Sequence, residues 1–102
     1  MTIKKYDKLV RDRIPEIIES SGKRCKVQIA SEAEYAAKLK EKLLEEASEF
    51  FENPSIEELA DVQEVVTAII KLKNWDVWNA RLDKNIERGS FNNRYILKEV
   101  SE

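Results

Sequence analysis

The sequence predicts an all-α, mainly helical domain, and three observations predict it. Only two glycines and two prolines interrupt 102 residues, and each sits where a helix boundary would fall. Two serine-to-glutamate capping boxes, Ser31 to Glu34 and Ser55 to Glu58, open long stretches of helix-forming residues. Within those stretches apolar residues recur at spacings of three and four, the period of an amphipathic helix. A length near 100 is the common size of one domain, so residues 1–102 are read as a single unit.

Each element follows from its local signals. Pro15 suits the first turn of a short helix from Ile14 to about Ser20, with Gly22 just beyond it. Arg24 to Ala30 alternates, with Cys25, Val27 and Ile29 on one side, and predicts a short strand. The box at Ser31 opens a helix to about Glu52, which Asn53-Pro54 breaks. The box at Ser55 opens the next, to about Lys73. A last helix runs from about Asp76 to Arg88 and ends at Gly89. The tail from Phe91 to Val100 carries Tyr95, Ile96, Leu97 and Val100 and predicts a second strand, so that the two strands pair as a small ribbon. A chain of this size buries a modest core, and oligomerisation would complete the helical bundle if its helices carry two apolar faces.

Composition excludes much chemistry. There is no histidine, which removes Ser-His-Asp and Cys-His catalysis, histidine general bases and imidazole metal ligands. The single cysteine, Cys25, forms neither an internal disulfide nor a thiolate zinc site alone. Enzymatic chemistry is left to carboxylates, Lys and Arg, and a hard metal ion. With 18 basic and 20 acidic residues and a net charge of -2, the chain lacks the basic excess typical of nucleic-acid binders. No apolar run is long enough for a transmembrane helix, and the opening residues lack the apolar core of a secretory signal, so a soluble cytoplasmic protein is expected.

The informative anomaly is acidic. On the first long helix Leu39, Leu43, Glu46 and Phe50 fall on one seam, and on the next Glu58, Asp61, Val65, Ala68 and Leu72 form a matching stripe. An ionised carboxylate on an apolar seam requires a cation, a proton or solvent. If the two helices form an antiparallel hairpin about Pro54, Glu49 comes level with Glu58 and Glu46 with Asp61. Each i, i+3 pair lies on one face, roughly 4.5 Å apart along the axis. Four carboxylates then converge between two helices, and an all-oxygen set suits Mg²⁺ or Mn²⁺. The plain alternative stands beside this: glutamate is a strong helix former, and charged helices commonly just solvate their acids. Glu41, Glu45 and Glu57 fit that description equally well.

Glu45-Glu46-Ala47-Ser48-Glu49 followed by Glu58-Leu59-Ala60-Asp61 resembles the EExxE…ExxD signature of the all-α nucleoside triphosphate pyrophosphohydrolases. The opening Tyr6 to Ile18 (YDKLVRDRIPEII) and the closing Lys84 to Phe91 (KNIERGSF) resemble a MazG-like, phosphoribosyl-ATP-pyrophosphohydrolase-like subgroup of that superfamily. The three blocks span nearly the whole chain in order. The resemblance implies metal binding by Glu46, Glu49, Glu58 and Asp61, and Mg²⁺-dependent hydrolysis between the α- and β-phosphates of a nucleotide, releasing a monophosphate and pyrophosphate. It also implies a homodimer or homotetramer. The gap of eight residues between the acidic motifs is shorter than in many relatives, and Ser90 stands where a second glycine is common.

Such a reaction requires neutralised phosphates and an aligned water. Glu49 and Glu45 are the candidates to accept the water's proton. The resemblance places Lys84 and Arg88, one turn apart on the last helix, near the substrate; a basic last turn also simply complements the helix dipole. Lys8, Arg11 and Arg13 form a basic cluster that suits a phosphate contact, a subunit contact or exposed ion pairs. Trp75 and Trp78 are read as core or interface residues rather than a base-stacking platform. Two rival functions remain: a non-catalytic helical oligomerisation or regulatory module with a degenerate acidic site, and a nucleic-acid partner acting through Lys4 to Arg13, against which the acidic balance argues.

Overall fold

A computed structural model of the protein describes residues 2–102, and four helices make up its regular structure: α1 (Ile14–Ser20), α2 (Glu32–Glu52), α3 (Ile56–Lys73) and α4 (Val77–Arg88). The boundaries have local causes. Ser31 Oγ accepts the Glu34 N–H at 3.2 Å and Ser55 Oγ the Glu58 N–H at 3.1 Å, so both serines cap their helices. Asp76 caps α4 by accepting from Asn79 through both its backbone and side-chain amides. The side-chain bond from Asn79, followed by the backbone one, holds the Asp76 carboxyl below its ordinary range. Asn74 ends α3 in the left-handed region at φ 54°, a conformation asparagine tolerates, and its N–H bonds back to Ile70.

α2 and α3 form an antiparallel hairpin and, among the described residues, are the only helices packed on each other along their length. The seam seen in the sequence is the seam in the fold: Leu39 is 2% exposed, Glu46 7% and Val65 8%, with Leu43, Phe50, Ala68 and Leu72 half-buried around them. Those three are the only buried residues among those described, and none of them is sealed completely from solvent. The all-α expectation therefore holds.

The β ribbon does not form. Among the described residues neither Arg24–Ala30 nor Phe91–Val100 is a strand. Alternation marks a segment able to present two faces, but a strand exists only with a partner, and an isolated two-stranded ribbon is marginal in water. Here Val27, Ile29, Tyr95, Ile96 and Leu97 all point largely into solvent. α4 does not fold back onto the hairpin either, and the molecule measures 66 × 31 × 25 Å. Its radius of gyration is 18.7 Å, against about 13 Å for a compact 100-residue domain. Trp75 and Trp78 accordingly lie exposed, each beneath a cation, Lys73 and Arg81, rather than in a core.

Candidate functional site

The hairpin brings acids from both helices to one point. One carboxylate oxygen from each of Glu46, Glu58 and Asp61 lies within 4.8 Å of the other two. The inner stripe of α2 carries Glu46 inward because it continues the Leu39–Leu43 row. The Ser55 cap sets the first turn of α3, and Glu58 and Asp61 then head its stripe, one turn before Val65.

Glu46 is the acid that burial penalises most. Desolvation pushes its carboxyl above the ordinary range, and the neighbouring Glu49 pushes the same way, while Lys42 opposes both. Lys42 Nζ stands 3.4 Å from Glu46 Oε1, one turn earlier on the same helix. The other oxygen, Glu46 Oε2, is buried without a hydrogen-bond partner, and so is Glu58 Oε2. Unpaired buried carboxylate oxygens are costly and call for an explanation. A hard divalent cation among the three acids would supply one, and the all-oxygen donor set matches Mg²⁺ or Mn²⁺.

The remaining predicted residues divide around this point. Glu49 lies exposed beside Glu46 and outside the group of three that converges. Glu45 is likewise outside that group and is held by Lys8 at 3.5 Å and by Lys42, which it shares with Glu46, at 3.6 Å. Arg11 reaches Asp61, with its guanidinium nitrogen 2.7 Å from Oδ1. Lys84 and Arg88 are not brought to the acids: no ion pair or hydrogen bond among the described residues joins either to α2 or α3, and Arg88 meets only Glu87, at 3.9 Å. Arg13, just before α1, turns to Glu16 in that helix's first turn.

Lys42 and Lys38 were not singled out in the sequence, although Lys42 precedes Glu46 by four residues, the spacing of a helical ion pair. With Lys8 they line a hollow of about 230 Å³ between the N-terminal segment and α2. Asp7, Glu41 and Glu45 line it too, so its charges balance and it is no ready-made anion site. A larger hollow, about 370 Å³, lies at the other end of the hairpin between Glu32, Ala36 and Leu72, and holds no chemistry-bearing cluster. No family model, curated protein or solved structure matches the chain. No helix among the described residues is long and apolar enough to cross a membrane.

Proposed function

We propose that the chain is a Mg²⁺-dependent nucleotide pyrophosphohydrolase that cleaves the α–β phosphoanhydride of a nucleoside triphosphate or related nucleotide to a monophosphate and pyrophosphate, acting on free nucleotides in the cytoplasm. The observation that carries this reading is the pair of buried, unpartnered oxygens of Glu46 and Glu58 beside Asp61. Glu46, Glu58 and Asp61 are the residues that would hold the ion, with Mn²⁺ as an alternative to Mg²⁺. When bound, such an ion neutralises phosphate charge and acidifies a water. Glu49 stands at the solvent edge with no ion pair among the described residues, and so is free to accept a proton from an attacking water; Glu45, tied to two lysines, is less so. Lys8 and Arg11, which reach Glu45 and Asp61 from the N-terminal side, are the cations that would turn to the phosphates.

Assembly into a homodimer or homotetramer belongs to the same reading. α4, which carries Lys84 and Arg88, stands clear of its own hairpin, and the exposed apolar residues along the chain have no cover within one protomer. Those same faces suit the second reading, a non-catalytic oligomerisation module, equally well. A screen for pyrophosphate release across canonical and damaged nucleotides, with Mg²⁺ and with Mn²⁺, separates the two. Metal-dependent release that Glu46→Gln and Asp61→Asn abolish is the expected result. No release, together with no thermal shift from Mg²⁺ and a non-hydrolysable triphosphate, would overturn the enzymatic reading.

A further inference from the structure

The N-terminal segment before α1 has no regular structure, yet it is fastened to the hairpin at three points. Lys38 Nζ donates to the carbonyl of Asp7 at 2.8 Å, where the chain turns through the left-handed region at φ 48°. Lys8 Nζ meets Glu45 Oε1 at 3.5 Å. Arg11 meets Asp61 Oδ1 at 2.7 Å, the shortest ion pair among the described residues. The first two anchors lie on α2 and the third on α3, so residues 7–11 run from one helix of the hairpin to the other, and the third anchor falls on an acid of the converging group. Leu9 is the half-buried residue of this stretch, and its neighbours are exposed. Charge, rather than apolar burial, holds the segment down.

The anchor on Asp61 is unlike the other two, because Asp61 also belongs to the converging group of acids. Those acids are three negative charges within 4.8 Å, served by Lys42 on one side and Arg11 on the other. Lys42 is on the same helix as its acid, so its backbone stays one turn from Glu46 whatever the N-terminal segment does. Arg11 is on an irregular segment, its side chain 55% exposed, and leaves at the cost of one exposed ion pair. A divalent cation placed among Glu46, Glu58 and Asp61 competes with Arg11 for the same carboxylate.

We propose that residues 7–11 form a cation-released strap: Arg11 serves as the counter-ion of Asp61 while the acids hold no metal, and entry of a divalent cation displaces Arg11 and frees this end of the segment. The proposal rests on the metal-binding reading above. It makes Arg11 a positioning residue whose guanidinium is handed from Asp61 to the solvent-facing side of the site, where a phosphate group would meet it. Removing the competitor tightens cation binding, and binding the cation exposes Arg11.

Both effects are measurable without turnover. Calorimetric titration of Mn²⁺ into the full chain is expected to show Arg11→Gln binding about two- to five-fold more tightly than wild type, the scale of one exposed ion pair. Lys5→Gln removes the same charge from a residue with no ion pair among those described, and is expected to stay at the wild-type affinity. Limited trypsin digestion of wild type, read by mass spectrometry, is expected to cleave after Arg11 several-fold faster with saturating Mn²⁺, because the protease must take the guanidinium that Asp61 otherwise holds. Helicity by circular dichroism verifies that each variant is folded. Wild type that binds Mn²⁺ while Arg11→Gln binds no more tightly, or while cleavage after Arg11 is unchanged, overturns the strap and leaves the metal site standing. Folded wild type and Arg11→Gln that both fail to bind Mn²⁺ overturn the metal reading and the strap together.

Discussion

Lys42 lies one turn before Glu46 on α2, and its ammonium is 3.4 Å from the most deeply buried carboxylate of the chain. Among the described residues it is the one cation paired with Glu46, since Arg11 pairs with Asp61 and Lys8 with Glu45. Removing one partner of a buried pair leaves the other charge uncompensated, which costs more than the pair itself contributes. Lys42→Met is therefore expected to destabilise the metal-free protein by about 1–3 kcal/mol at neutral pH. The double variant Lys42→Met/Glu46→Gln should recover most of that loss. Urea unfolding of the four members of this cycle checks it; single-variant effects that simply add in the double variant would show that the two residues do not interact.

The buried acid also sets a pH dependence with a definite sign. Burial and Glu49 raise the Glu46 carboxyl above the 4.5 expected in the unfolded chain. Between 4.5 and the raised value the folded state binds the proton and the unfolded state does not, so this group makes stability fall as pH rises through that window. Below 4.5 both states are protonated and the effect vanishes. Glu46→Gln holds no titrating proton, so its melting temperature is expected to exceed that of metal-free wild type at neutral pH and to converge with it below pH 4.5. Parallel melting curves for the two proteins across pH 4 to 8 would contradict this.

The helices and the acid cluster were legible because both are local. A capping serine and a period of 3.6 residues are read within one turn or two, and hairpin symmetry about Pro54 brings Glu46 and Asp61 level without knowledge of anything else. The strap was not legible. Lys8, Arg11 and Arg13 read as a basic cluster for a phosphate, a subunit or exposed ion pairs, with no particular acid of the chain assigned to any of them, because a coil has no period and Arg11 finds Asp61 fifty positions along the chain. The strands at Arg24–Ala30 and Phe91–Val100 failed for the converse reason. Their alternation was real, but pairing is a property of two segments, and these two remain apart and exposed.

Capping and the site are coupled at Ser55. Its hydroxyl accepts the N–H of Glu58, the residue that carries one of the two orphaned oxygens. Ser55→Ala is expected to lose about 1 kcal/mol of stability, which corresponds to a fall of roughly 4–8 °C in Tm for a domain of this size, and to weaken Mn²⁺ binding as the first turn of α3 frays. Ser55→Asn, which keeps a capping oxygen, should restore both. Ser31→Ala removes the equivalent bond to Glu34 at the far end of α2, so it should lower Tm similarly while leaving Mn²⁺ affinity unchanged. Thermal melts and calorimetric titrations on the three variants distinguish a local cap effect from general destabilisation.

The exposed apolar residues lie on particular faces. On α2, Leu44 and Phe51 are seven residues apart, 71% and 79% exposed, on the side of the helix away from the Leu39–Glu46 seam. On α4, Trp78, Leu82 and Ile86 recur every four residues, and Ile86 is 85% exposed. A helix with apolar residues on two faces needs two partners, and the hairpin supplies α2 with only one. Sedimentation at micromolar concentration is therefore expected to give two or four times the 11.9 kDa chain mass. Full burial of one such side chain contributes about 1.5–3 kcal/mol, so Phe51→Glu or Ile86→Glu should weaken association by about tenfold or more each. A wild-type protein that sediments as a single chain across this range, with α4 still helical, would show that these faces are not subunit contacts.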